Sequence, residues 1–227
     1  MSKKKYFGEG VFLTAASYFL FFLSSTIYFY ICNLPLILLY IVPYGFNVTP
    51  ESKYILIPLL LTVAPALTAL YGTMGKIVKY GDIKIFKDYF KAYKAGFKQS
   101  IILWCIGSII LTVAVTDISF FSKMTFGYFV LIIFAIIICI TIIGALYVFP
   151  IISQFKLKIK DILRLAIFFA VVRFQYTLII IVTFFIGLFI FGLSPIFTLA
   201  FFPSIFCYLC MRILKPVFTE IEGKIIT

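Results

Sequence analysis

The sequence predicts an all-α polytopic membrane bundle: about six transmembrane helices, amphipathic helices on the cytoplasmic side, and both termini inside. Three observations carry that expectation. First, 64% of the 227 residues are apolar (AVILMFWYC) and 12% are charged, with a mean hydropathy of +1.18. A soluble domain has roughly 45–50% apolar and about 25% charged residues, so this chain has too little polar surface to coat a globule in water. Second, uncharged stretches long enough to cross a bilayer recur along the chain. Third, the basic residues sort unevenly between the segments that join those stretches.

A spanning helix needs about 20 mostly apolar residues. Uncharged stretches run from Gly10 to Pro50, Tyr54 to Gly75, Gln99 to Thr116, Met124 to Phe155 and Phe174 to Met211. The last is too long for one crossing, and Gly192, Ser194 and Pro195 supply a turn in it. The expected spans are therefore 18–42, 54–75, 99–118, 126–150, 174–191 and 195–212, in a single integral membrane domain covering 1–227. The apolar run Val11–Val42 contains Asn33 and Pro35, and proline removes a helical hydrogen bond there. Pro35, Pro65 and Pro195 are read as helix breaks.

Charge fixes the expected orientation. Eighteen of the twenty basic residues fall in the N-terminal tail, the segments after spans two and four, and the C-terminal tail; only Lys53 and Lys123 lie on the other side. Basic residues stay cytoplasmic during insertion. Both termini are thus expected inside, with the loops Gly45–Lys53, Asp117–Lys123 and Gly192–Pro195 outside. The net charge of +12 follows from this orientation and from attraction to anionic headgroups, so nucleic acid is not an expected partner.

Two polar segments have amphipathic patterns. From Asp82 to Lys98, lysines at 84, 87, 91, 94 and 98 share one helical face, and Phe86, Phe90, Tyr93 and Phe97 share another. With Asp82 as N-cap, this describes a helix over 82–98, either lying in the inner-leaflet interface or solvated and packed on the bundle. Lys156–Arg173 is a second candidate, with Arg164 and Arg173 bounding the run Leu165–Val172. Lys84, Lys87, Lys91, Lys94, Lys98, Arg164 and Arg173 are the candidate membrane-surface or partner contacts.

Chemistry-bearing residues are scarce. The chain has no histidine and eight carboxylates; only Asp117 lies near a predicted span. Proton-coupled pumping uses ionisable groups inside the bundle, and these are missing. Cys207 and Cys210 form a C-x-x-C within a span, but a metal site wants more ligands nearby, so no metal and no cofactor are expected. No phosphate-binding glycine loop is present. Asn33, Thr68 and Tyr71, beside the Pro35 and Pro65 breaks, are the candidate substrate-binding residues of a solute cavity.

The run from Asp88 to Trp104, the segment Pro65-Ala-Leu-Thr-Ala-Leu-Tyr71, the segment Leu146-Tyr-Val-Phe-Pro150 and the element Asn33-Leu-Pro35 resemble the YesL family of bacterial integral membrane proteins. The resemblance covers about residues 20 to 212. It implies a membrane protein of unknown function, often encoded beside ABC importers for oligosaccharides, especially in Gram-positive bacteria. Like that family, the chain lacks the glycine-bearing coupling loop of importer permeases, since Lys156–Arg173 contains no glycine. The resemblance therefore implies a non-enzymatic accessory subunit in the cell membrane, with permease or ATPase subunits as partners. A stand-alone carrier or channel for a small solute is the alternative, and a structural membrane protein without a ligand is a third reading.

Overall fold

The computed structural model describes residues 7–35, 60–81, 84–121 and 128–226. Every regular element among them is helical: α1 (Phe7–Cys32), a 3-10 turn (Leu60–Thr62), α2 (Val63–Tyr80), α3 (Ile85–Phe121), α4 (Tyr128–Gln154), α5 (Ile159–Val172), α6 (Phe174–Leu193), α7 (Pro195–Ile213) and α8 (Lys215–Ile226). The tail lysines 3–5, residues 36–59 with Lys53, the expected N-cap Asp82, and Lys123 lie outside the described residues. Four described helices are long and apolar enough to cross a membrane: Ile85–Ile118, Phe129–Gln154, Phe174–Leu193 and Pro195–Ile213; Ala16–Cys32 is a shorter apolar helix. This fits a helical membrane protein. The junction expected to complete spans one and two falls within 36–59.

Helices that meet in lipid gain little from hiding apolar groups, because the surrounding tails are equally apolar; close backbone approach holds them instead. α2 is built for that. Ala64, Ala66, Ala69, Gly72, Thr73 and Gly75 are buried along it, and α1, α3, α4 and α7 all pack on it. A methyl at Gly72 would lie 3.0 Å from Ala92 Cβ, and one at Gly96 would lie 2.8 Å from Thr68 Cγ2. These pairs, with Lys76 against Asp88, show α2 and α3 running antiparallel. A helix enclosed by protein has no need of an apolar perimeter. That explains how five glycines and alanines and several hydroxyls fit in α2, which is not among the four helices long and apolar enough to cross a membrane.

Pro65 does not break a helix. It stands in the first turn of α2, where the missing N–H is one the helix could not use. Pro195 opens α7 in the same way. Pro35 lies just past α1, whose last turn closes where the Asn33 N–H donates to Phe29 O and Tyr30 O. At the other end of α2, Gly81 adopts φ +79° and its N–H donates to Ile77 O, a left-handed cap that favours glycine.

The segment 82–98 is not a separate interfacial helix. It continues without a break into the expected span 99–118, forming the single 37-residue α3, about 55 Å long at 1.5 Å per residue. No proline interrupts residues 85–121. Gly96 is held by its contact with Thr68, and Ser100 Oγ donates back to Gly96 O. Part of the aromatic face packs on α1, where Phe86, Tyr89 and Phe90 all meet the Tyr28 ring at centroid distances of 5.8–5.9 Å, while Phe86 and Phe97 keep much of their surface exposed.

α1 and α7 are also antiparallel. Tyr18 meets Tyr208, Thr26 Oγ1 and Ser204 Oγ hydrogen-bond at 2.6 Å, and the Tyr30 hydroxyl donates to Leu199 O. α5 buries Ile162, Ala166, Phe169 and Ala170 against α4 while Ile167, Phe168, Val171 and Val172 stay exposed. α8 has no counterpart in the sequence-based expectation. It inserts Val217, Phe218 and Ile221 into the core cluster and sets Phe218 edge-on to Phe155.

Candidate functional site

The polar side chains of the interior are largely satisfied, some by one another and more by backbone carbonyls. Asn33 Nδ2 donates to Phe29 O at 2.9 Å, and its Oδ1 accepts from Thr62 Oγ1 at 3.1 Å. Thr68 Oγ1 donates to Ala64 O in its own helix. Tyr71 is buried beside the thiols of Cys207 and Cys210. Tyr89 donates to Ala66 O at 3.2 Å and meets the Cys32 thiol. Tyr147 and Thr177 join α4 to α6 at 2.8 Å. Buried polar groups cost free energy unless paired, and here pairing ties α1, α2, α3 and α7 together. Ser25 Oγ is the exception, buried with no hydrogen-bond partner.

The three candidate substrate residues therefore fall into separate arrangements. Asn33 sits with Thr62 where α1 ends, Thr68 faces Gly96 of α3, and Tyr71 faces the thiols of α7. All three are buried, and the structure brings them to no shared cavity among the described residues. The cysteine pair was legible in the sequence, but its tyrosine partner on another helix was not. No group of three or more His, Cys, Asp or Glu side chains able to hold a metal occurs among the described residues.

Exposed charge gathers at one end of the bundle, where α2, α4 and α7 finish, α3 begins and α5 and α8 lie. Lys84, Lys87, Lys91, Lys94, Lys98 and Arg164 are all exposed there. Arg173 differs from that group, because its guanidinium donates to Glu220 Oε2 of α8 at 3.0 Å; its contact is within the chain. Two further ion pairs brace this end, Lys76 to Asp88 and Lys79 to Glu222 at 3.4 Å. Asp88 Oδ2 also accepts from the Lys84 N–H, which bonds the side chain back to the start of α3.

Asp88 lies before the apolar half of α3. The hydrogen bond from Lys76, its charge, and the Lys84 N–H hold the Asp88 carboxyl below the usual carboxylate range, against an opposing effect of burial. A depressed folded value stabilises the fold above the unfolded carboxylate value of about 3.9. That contribution is lost as pH falls through the lower folded value. Because Lys76 is partly exposed, screening limits it to about 1 kcal/mol. Asp88→Asn should lower the melting temperature at pH 7, and its difference from the parent should shrink as the pH falls below the usual carboxylate range, measured by thermal denaturation in detergent.

The same end holds a cleft of about 80 Å³ between the end of α2, the end of α4, α7 and the tail helix α8. Gly75, Lys79, Gln154, Lys215, Phe218 and Glu222 are among its walls. None of the residues singled out by sequence lines it. Its walls come from four helices that approach only after folding, and α8 was not expected as an element.

The family described as "Protein of unknown function, DUF624" matches residues 46–118, a stretch holding α2 and most of α3. The "Uncharacterized protein YteU" of Bacillus subtilis (strain 168) is 25% identical over 166 residues, covering 70% of this chain and 73% of that protein. No solved structure matches the chain. The chain is thus similar to proteins of a DUF624 type.

Proposed function

We propose that this chain is a YesL-like, non-enzymatic accessory subunit of a bacterial carbohydrate uptake system, inserted in the cell membrane with its basic end in the cytoplasm. The observation that supports this reading is the division of its polar chemistry. Inside the bundle, nearly all the described polar side chains are satisfied within the chain, by one another or by backbone carbonyls. Outside it, Lys84, Lys87, Lys91, Lys94 and Lys98 stand exposed along one helix. What the protein offers a partner is a cationic cytoplasmic surface. That surface suits anionic inner-leaflet headgroups, at about 1 kcal/mol per lysine near the membrane, and an acidic face on the permease or ATPase subunits of an oligosaccharide importer. Charge complementarity of this kind mainly sets specificity and encounter rate.

Purification from native membranes in mild detergent tests it, with co-purifying chains identified. Importer permease or ATPase subunits are expected, and the triple variant Lys87→Glu, Lys91→Glu, Lys94→Glu should lower their recovery on the order of tenfold, about 1.4 kcal/mol. Recovery of the chain alone would contradict the accessory role. A carrier using Asn33, Thr68 and Tyr71 predicts solute flux in liposomes by the isolated protein; the burial of those residues favours no flux.

A further inference from the structure

The cleft beneath α8 has a composition of its own. Its floor is apolar, with Val78, Phe155, Met211 and Phe218, while charged and polar groups stand at the rim. Gly75 brings the α2 backbone to this floor: a methyl there would lie 2.3 Å from Gln154 Nε2 and 2.7 Å from Met211 Cε. Any side chain at position 75 would displace Gln154 and Met211, two of the cleft's walls.

The rim carries donors with spare capacity. Gln154 Nε2 has a long bond to neighbouring Ser153 Oγ, 3.3 Å, and an amide nitrogen has two hydrogens to give. Lys215 forms no ion pair among the described residues. Lys79 is held by Glu222 at 3.4 Å with both side chains about half exposed, a loose pair that contributes little. Two ammonium groups and an amide thus border an apolar floor, and the carboxylate beside them already stands where an anion would.

We propose that this cleft binds the phosphate of an anionic phospholipid, held by Lys79, Lys215 and Gln154, with Glu222 as the intramolecular anion that the headgroup displaces. The volume of about 80 Å³ holds several waters at roughly 10–15 Å³ of such space each, enough for a phosphate group. The lipid's remaining parts would stay outside, along the apolar helix surfaces. The apolar floor favours a lipid phosphate over free phosphate, because an apolar tail and a fixed anion satisfy both halves of the site. Displacement of Glu222 to solvent costs little at its present exposure. The site is separate from the lysine face of α3 and does not depend on the accessory-subunit reading.

The full-length protein in neutral detergent provides the test, titrated separately with phosphatidylglycerol, phosphatidylcholine and inorganic phosphate. Bound lipid is counted by native mass spectrometry, and the melting temperature is followed in parallel. One phosphatidylglycerol should be retained and should raise the melting temperature, with phosphatidylcholine and inorganic phosphate ineffective at the same concentration. Lys79→Gln with Lys215→Gln should weaken that binding at least tenfold. Glu222→Gln should tighten it severalfold, a gain that no folding defect would imitate. The triple glutamate variant of α3 should keep the single bound lipid. Equal retention of phosphatidylcholine, or equal affinity for inorganic phosphate, would overturn the lipid assignment. Weaker binding by Glu222→Gln, or unchanged binding by the double lysine variant, would overturn the site.

Discussion

Replacing Tyr89 by alanine should destabilise the protein by about 3–5 kcal/mol, the range for emptying a large aromatic site in a packed core. Tyr89 is completely buried and touches three helices at once. Its ring meets Tyr28 of α1 and Phe90 of its own helix, and its hydroxyl donates to Ala66 O of α2. Against a total stability of typically 5–15 kcal/mol, such a loss should abolish most of the monodisperse protein recovered from membranes. Tyr89→Phe keeps the ring and removes only the hydroxyl, so about 1 kcal/mol is expected. Phe97→Ala, at an exposed position of the same helix, should stay within about 0.5 kcal/mol. Equal melting temperatures for the alanine variants at 89 and 97 would refute the assigned packing.

Gly187→Leu should also be damaging, through crowding rather than loss. A Cβ at 187 would lie 1.8 Å from Phe202 Cε2 and 2.7 Å from Cδ2 and Cζ. The Phe202 ring has little freedom to retreat, since it meets Phe206 at 5.6 Å and Phe184 at 6.2 Å. Overpacking costs about 1–3 kcal/mol or more, and here it would separate α6 from α7, whose mutual contact is the principal one α6 has. Phe202→Ala opens the space and should restore much of the stability when combined with Gly187→Leu. The double-mutant cycle then gives a favourable coupling of 0.5–3 kcal/mol, the range for residues in contact. Additive losses would mean that the two residues do not meet.

How much could be read from the sequence depended on whether a signal was local. The parting of α6 from α7 at Ser194 is legible because proline at a first helical position and a neighbouring glycine are cues within four residues. The helical class is legible from composition. Pro65 misled because the same residue signals a start or a break, and only the turn before it, Leu60–Thr62, decides which. The continuity of α3 was hidden because the shift from lysine-rich to apolar sequence at residue 98 marks a change of solvent and not the end of a helix. Tyr89 lay between two sequence faces and belonged to neither, since the Tyr28 ring that selects it sits on α1. The cleft was hidden for the same reason. Gly75, Gln154, Met211 and Lys215 are far apart in the chain, and a pattern within one helix carries no trace of their meeting.

α2 explains why the remaining architecture can be so apolar on its outside. Small residues let α1, α3, α4 and α7 approach one interior helix, leaving the perimeter of α3, α4 and α6 to face lipid with isoleucine, valine, leucine and phenylalanine. Charge is then left for the basic end, where the exposed lysines and the cleft lie.

The orientation of that end is the premise of the proposed function. Single cysteines placed at Lys91 and Ser194, in a background with the five native cysteines replaced, can be challenged with a membrane-impermeant thiol reagent in intact cells and after permeabilisation. Ser194→Cys should be labelled in intact cells, and Lys91→Cys only once the membrane is opened. Labelling of Lys91→Cys in intact cells, with Ser194→Cys protected, would contradict that orientation.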